Sequence, residues 1–247
     1  MKNIKNTSDK AKNLHEIVYG PHAIIELIKA KKRRLLTLYT TKVPTKGFER
    51  ISKYLPKDVK IQYVERIILD RMTAMDDHGG VVAAVTPFKY ASKIFDPAKK
   101  THILLLDAIQ DVRNLGAILR SAYCSGFEGV VLCKKSGAQL NAATFKTSAG
   151  LAEYLDIYCA PSISAAINDI KKAGYNLYMA VPEKGKSILD VSFQKPLCLV
   201  IGNEEKGISR EVLGNGELIT IPQSRSDISY NASVAAGILL FFAKNKV

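Results

Sequence analysis

Ile103-Leu104-Leu105-Leu106-Asp107 runs four apolar residues into one carboxylate. A strand with one wet face alternates apolar and polar side chains. This run does not, so it reads as a strand covered on both faces, as in a parallel sheet between helices. Similar runs recur at 129–133, 176–181, 196–201 and 217–221, with helical patterns between them at 115–125, 142–151 and 163–173. Strand–helix alternation of this kind predicts an α/β domain, a mostly parallel sheet with helices on both faces. The final segment, 231–243, is almost wholly apolar and predicts a buried helix with Asn231 as its N-cap. There is no internal repeat.

Toward the N-terminus the composition changes. The 247 residues hold 36 Lys+Arg against 23 Asp+Glu, a net charge of +13. Residues 1–100 carry 21 basic and 10 acidic groups, and residues 101–247 carry 15 and 13. A shift of that size marks a domain boundary, and the excess points to a polyanionic partner; the alternative is a solvated Lys-rich surface. The chain divides into a polar, disordered tail at 1–13, a small basic α/β unit at 14–87, a linker at 88–100 bracketed by Pro87 and Pro97, and the sheet domain at 101–247. Within the basic unit, Gly20-Pro21 opens a helix with apolar Ala23, Ile24, Leu27 and Ile28. Lys31, Lys32, Arg33 and Arg34 close it as candidate phosphate contacts. Strands are predicted at 35–40, 60–64 and 80–86, and helices at 48–54 and 65–71.

Several chemistries are excluded. The longest apolar run, 232–243, falls short of the ~20 residues that cross a bilayer. Cys124, Cys133, Cys159 and Cys198 form no CxxC pair, and His15, His22, His78 and His102 are scattered, so neither a disulfide framework nor a metal site is expected. The first residues lack an apolar signal-peptide core, which with the free thiols predicts a reducing cytoplasm. No GxGxxG follows a strand. The stretch Gly202 to Ser209 has the glycine spacing of a phosphate loop, but Ile208 stands where the lysine must be and two carboxylates lie inside. No GxSxG elbow is present.

Three segments at predicted strand ends remain. Asp111-Val112-Arg113-Asn114-Leu115-Gly116 continues to Arg120. Leu199-Val200-Ile201-Gly202-Asn203-Glu204-Glu205-Lys206-Gly207 follows the fourth strand. Ile221-Pro222 leads to Ser229-Tyr230-Asn231-Ala232-Ser233-Val234-Ala235. In this order and spacing they resemble the three motifs of the SpoU-type ribose 2′-O-methyltransferases of the SPOUT class, over about 140 residues. Ala138-Gln139-Leu140-Asn141 resembles a segment of the subgroup acting on large-subunit ribosomal RNA. Ile17 to Ala23 and His78 to Ala83 resemble, more loosely, the ribosomal-protein-like RNA-binding domain ahead of the knot in rRNA-directed members.

The resemblance implies a trefoil-knotted C-terminal domain, S-adenosyl-L-methionine bound among the knotted loops, and a homodimer whose interface lies against the cofactor. Knots are too rare to derive from pattern. Gly202, Ile221, Tyr230 and Asn231 would line the cofactor pocket. Arg120 matches the family's catalytic arginine, proposed there as general base. A guanidinium with a pKa above 12 is a poor base, so holding the target phosphate and polarising the hydroxyl is the better role. Asn114 would bond either the substrate or a partner carboxylate, Glu204 would orient Arg or Asn groups across the site, and Ser229 and Asn231 would fix substrate and cofactor loop. Each has a plainer reading: Asn114 and Asn231 as N-caps, Arg120 as an exposed helix charge, Glu204 as a turn residue, Ser229 as a solvated hydroxyl. Gln223 replaces a usual Met, Tyr230 a common Leu, Val112 a frequent Pro, and Arg113 precedes the motif asparagine. The expected activity is methyl transfer to a ribose 2′-OH of large-subunit rRNA, at a guanosine. The alternatives are a tRNA methyltransferase, a non-catalytic ribosome-assembly protein on the same fold, and, against the missing fingerprint, a nucleotide-dependent oxidoreductase.

Overall fold

The computed structural model describes residues 15–225 and 228–246. The tail expected at 1–13 lies outside the described residues. The chain separates into two compact units between Lys89 and Tyr90.

The first unit holds β1 (Glu16–Tyr19), α1 (Pro21–Ala30), β2 (Leu35–Thr40), α2 (Lys46–Ser52), β3 (Lys60–Tyr63), α3 (Arg66–Thr73) and β4 (Val81–Val85). Its sheet order is β1-β4-β2-β3, with β4 antiparallel to both neighbours and β3 parallel to β2. All five residues of β4 are buried, and Ala23, Ile24 and Leu27 of α1 join the core. Pro21 sits at the first position of α1, where its missing N–H costs nothing. Left-handed Lys31 (φ 55°) ends the helix. The short strand β1 carries no long apolar run, so nothing in the sequence pattern marks it.

Arg33 corrects an expectation. It is 5% exposed, pairs with Glu16 Oε2 at 2.6 Å and donates from Nε to the Thr86 carbonyl at 2.8 Å. It lies two residues ahead of buried Leu35, in phase with the inward face of the strand. It therefore cements the unit and is not available to RNA. Lys31, Lys32 and Arg34 remain exposed.

The second unit is a seven-stranded sheet, β5 (His102–Leu106), β6 (Gly129–Cys133), β7 (Asp156–Ala160), β8 (Asn176–Ala180), β9 (Lys186–Ser187), β10 (Leu197–Ile201) and β11 (Glu217–Thr220). Their order is β7-β6-β5-β10-β8-β11-β9, and each neighbouring pair is parallel. Every residue of β5, β6 and β10 is buried, as their unbroken apolar runs require. The helices are α4 (Val112–Cys124), α5 (Ala142–Thr147), α6 (Ile163–Ala173) and α7 (Ala232–Asn245), with a 3₁₀ turn at Leu151–Tyr154. The helix expected over 142–151 breaks after Thr147, where Ala149 (φ 53°) and Gly150 (φ 85°) are both left-handed. Strand β7 leaves no apolar signature because only two of its five residues are buried. Asn231 caps α7, its side chain accepting from the Ser233 N–H. Asn114 is not a cap: α4 starts earlier, with Asp111 accepting from the Arg113 N–H.

The topology decides where a site can form. After β5 the chain proceeds through α4 to β6 on one side, and after β10 it proceeds to β11 on the other. Neighbouring parallel strands whose connections diverge leave a crevice at their carboxyl ends, and that is where ligands bind in open α/β sheets.

Candidate active site

Three loops meet at the crevice between β5 and β10. The loop after β10 folds into a tight ring: the Asn203 N–H donates to the Gly207 carbonyl (2.9 Å) and the Gly207 N–H to the Asn203 carbonyl (3.0 Å). A Cβ on Gly202 would lie 2.3 Å from the Gly207 carbonyl carbon and 2.4 Å from the Ile208 nitrogen, so only glycine fits. Gly207 itself has φ 66°. Both motif glycines thus shape the loop. Gly116 serves another contact: a Cβ there would meet Thr147 and the Thr144 carbonyl of α5 at 2.7 and 2.9 Å.

Asn203, which the motif reading passed over, ties this ring to the loop after β5. Its Nδ2 donates to the Ala108 carbonyl (2.8 Å), and its Oδ1 accepts from the N–H groups of Glu205 (3.0 Å) and Lys206 (2.9 Å). Ala108 is held at φ 60°, a conformation that costs a non-glycine residue about 1–2 kcal/mol. Buried Asp107 adds a second tie, accepting the Ser209 N–H at 2.7 Å. The signal for Asp107 and Asn203 was their place, each the first or second residue past an apolar strand.

Glu204 is the centre of the polar network. Oε1 accepts from Asn114 Nδ2 (3.0 Å), and Oε2 accepts from the Gln110 N–H (3.3 Å) and Asn203 Nδ2 (3.3 Å). Burial pushes its carboxyl pKa up, but hydrogen bonds from Asn114 and from the backbone of Glu204, Gln110 and Asp111 together outweigh this and hold it below the ordinary value. Asn114 Oδ1 accepts in turn from Asn231 Nδ2 at 3.2 Å. One chain of hydrogen bonds, Asn231–Asn114–Glu204, therefore joins residues 117 and 90 positions apart in sequence.

Two cavities adjoin at Glu204. One has apolar walls, including Ile201, Ile219, Ile221 and Leu239, with Gly202, Ser229, Tyr230 and Gln223 on its border. The other is polar, lined by Asp107, Asp111, Asn114, Ser209 and Asn231. The expected residues Asn114, Glu204 and Asn231 are hydrogen-bonded together, and Gly202, Ile221, Ser229 and Tyr230 share the apolar cavity. Arg120 joins neither. It is exposed on α4, lines neither cavity and makes no hydrogen bond or ion pair with another described residue. Six residues beyond Asn114, it projects from a different side of the helix. No group of three or more metal-ligating side chains occurs among the described residues.

A parallel α/β sheet carries a polar network and an apolar cavity at its topological switch point, the place where open α/β sheets bind ligands, and a separate basic unit precedes it. The chain belongs to the SpoU rRNA methylase family, which residues 101–241 match. Residues 17–91 match the RNA 2′-O ribose methyltransferase substrate-binding family. A Bacillus subtilis relative, provisionally named a TrmH family tRNA/rRNA methyltransferase, is 31% identical over 236 residues, covering 92% of this chain and 94% of its own. An uncharacterized tRNA/rRNA methyltransferase of Mycobacterium avium is 32% identical, covering 91% and 75%. Among solved structures, an RNA 2′-O ribose methyltransferase superposes with a TM-score of 0.81 at 22% identity, covering 94% of this chain and 89% of its own. The SpoU methyltransferase AviRb of Streptomyces viridochromogenes, solved with AdoMet, superposes at 0.77 with 20% identity, covering 97% and 93%. At these identities the structural likeness concerns the fold.

Proposed function

We propose that this chain transfers a methyl group from S-adenosyl-L-methionine to a ribose 2′-OH of large-subunit ribosomal RNA, at a guanosine. The observation that carries the reading is the Asn231–Asn114–Glu204 chain of hydrogen bonds, which joins the N-cap of α7, the first turn of α4 and the loop after β10 beside an apolar cavity. The cavity suits the cofactor chemically: Ile201, Ile219 and Ile221 offer apolar surface to a flat adenine, and an ionised Glu204 at the junction suits a cationic sulfonium. When bound, the cofactor supplies an electrophilic methyl group. Glu204 and Asn231 hold Asn114 in one rotamer, leaving its second amide hydrogen to orient a ribose. Ser229, on the border of the apolar cavity, is the hydroxyl that fixes the nucleotide toward the cofactor.

Arg120 enters through a second copy of the chain. It shares an exposed stripe of α4 with Tyr123, three residues on, and α4 packs beside α7, where Val234 and Phe241 are 49% and 60% exposed. An apolar face bearing an unpaired cation suits burial in an isologous dimer, in which Arg120 meets the phosphate of the target nucleotide. The same reading takes the insertion of β10 between β5 and β8, followed by α7, as the trefoil-knotted topology of the class. The resemblance of the first unit to the domain that precedes the knot in rRNA-directed members favours rRNA. The relatives' tRNA/rRNA names make tRNA the second substrate. The intact hydrogen-bond chain speaks against a non-catalytic assembly protein.

Incubation with methyl-labelled S-adenosyl-L-methionine and separate rRNA and tRNA pools, followed by mapping of alkali-resistant linkages, tests the assignment. Label in large-subunit rRNA supports it; label in tRNA alone transfers the activity to the second substrate, and none in either pool ends the enzyme reading. Light scattering tests the dimer. Mixing inactive Arg120→Ala and Asn114→Ala chains tests the shared site, because hybrid dimers would restore one complete centre.

A further inference from the structure

The densest cation cluster in the sequence presents Lys31, Lys32 and Arg34 to solvent. Arg33, inside the Lys31–Arg34 cluster, is buried and paired. A different set of cations is gathered on α1, on α2 and just past the end of α2 in the first unit. Lys29 Nζ lies 5.4 Å from the centre of the Tyr54 ring, and Lys53 Nζ lies 5.3 Å from it. Toward the start of α1, Arg50 Nη2 lies 3.1 Å from His22 Nε2. With the guanidinium as donor, His22 Nε2 is the acceptor and its proton sits on Nδ1. His22, Arg50 and Lys53 are exposed, and the Lys29 side chain is 46% exposed.

We propose that this α1–α2 face is the docking surface for the RNA sugar-phosphate backbone, with Lys29, Arg50 and Lys53 as its phosphate contacts and Tyr54 as the positioning residue. The inference rests on the RNA-directed reading above and says where on the chain that reading is executed. Three features favour RNA. The cations fall into two groups, Arg50 beside His22 and the lysine pair beside Tyr54. His22 and Lys29 are seven residues apart on α1, which places them about 10 Å apart along its axis. A polyanion is followed by such a strip, whereas a single anion needs one convergent pocket.

The second feature is preorganisation. Most surface lysines are loosely held and lose side-chain entropy when a partner fixes them. Here one aromatic ring attracts two ammonium groups, so both are held near each other before any ligand arrives. Two cations on one ring repel each other, and an intervening phosphate relieves that repulsion. The third is the scarcity of competing acids. Glu26 bonds Lys29 at 2.8 Å, an exposed pair that a phosphate can displace; Glu49 and Asp58 are the other nearby acids in sequence, and neither forms an ion pair with these cations.

The test uses the full chain and a short fluorescein-labelled single-stranded RNA of mixed sequence, with anisotropy followed across a salt series. Lys29→Ala/Arg50→Ala/Lys53→Ala is expected to weaken binding at least roughly tenfold at low salt. It should also flatten the slope of log K against log salt by about 2, since each lost phosphate contact on a single strand removes about 0.7. Lys31→Ala/Lys32→Ala/Arg34→Ala should do distinctly less. Tyr54→Phe should bind as the parent does, whereas Tyr54→Leu should lose about threefold with the slope retained, because the charges persist and only their placement is relaxed. Melting temperature and S-adenosyl-L-methionine binding report integrity. If the triple variant melts early, Lys29→Gln/Lys53→Gln tests the same contacts through its slope. A triple variant with parental affinity and slope overturns this face and leaves the RNA reading intact. A parent chain with no salt-dependent RNA binding overturns both.

Discussion

In the first unit the exposed cations proposed to meet RNA lie on and beside helices; in the second the hydrogen-bonded polar groups lie at the ends of strands. The mixed sheet of the first unit is short and has no diverging parallel connections at its centre, and most of its excess charge lies in the connections beside its helices, at Lys31, Lys32, Arg33, Arg34, Lys42, Lys53 and Lys57. The second unit has an all-parallel sheet whose central strands are buried on both faces, and its polar side chains converge where β5 and β10 send the chain in opposite directions. The lesson is a division of labour with a physical cause. Gripping a polyanion needs exposed, widely spaced cations in water, while positioning one hydroxyl needs a fixed, partly dehydrated set of dipoles.

The most severe test of that contrast is Gly202→Ala. Its Cβ would collide with the backbone of Gly207 and Ile208, so the ring after β10 must open. Calorimetry should register no S-adenosyl-L-methionine binding, and stability should fall by about 3 kcal/mol, while the salt slope of RNA binding stays parental. Next comes Asn114→Ala, which removes the link between Glu204 and Asn231. Turnover should fall about a hundredfold with RNA affinity retained; a change confined to KM would show that the asparagine binds substrate without positioning it.

His102 separates the two units through pH. It is 1% exposed, and its pKa is lowered to about 4, first by burial and then by nearby Lys244 and Lys195. Because the folded value lies below the unfolded one, the neutral ring's stability is present above about pH 6.5 and is lost as pH falls toward 4. Denaturant titration should show the second unit weakening by about 2–3 kcal/mol over that window, and His102→Gln should flatten the profile. Glu204 shifts in favour of its charge: against the upward push of burial, hydrogen bonds from Asn114 and the backbone hold its carboxyl below the ordinary value. The smallest change should come from Arg33→Ala. It should cost the first unit about 1–2 kcal/mol, since Glu16 is partly solvated, and leave the salt slope of RNA binding unchanged. A flattened slope would return Arg33 to the RNA surface.

Much of the second unit was legible because its determinants are local. A five-residue apolar run bounded by turn residues reads as a doubly covered strand, and the glycines of Gly202-x-Glu204-x-x-Gly207 mark a tight loop, since no side chain fits at Gly202 and Gly207 has positive φ. Asp111 and Asn114 show where locality ends: both suit an N-cap, and the start of α4, set by packing against α5 and α7, chose Asp111 and freed Asn114 for Glu204. Arg120 carries the same lesson outward, since its motif position is plain while its side chain lines neither cavity.

The amino-acid order by itself determined the strand–helix rhythm, the charge asymmetry between the two units and the membership of Asn114, Glu204 and Asn231 in one set of motifs. The first two follow from side-chain polarity and spacing along the chain, and the third from the resemblance of the three segments to the family's motifs. Only the tertiary structure decided that Arg33 is buried cement, that Asn203 pins two loops, and that Lys29, Lys53 and Tyr54 form one cluster. Each depends on which face a residue presents and on what a distant segment brings to it, and Lys-Lys-Arg-Arg reads the same whether its third member points to water or to Glu16.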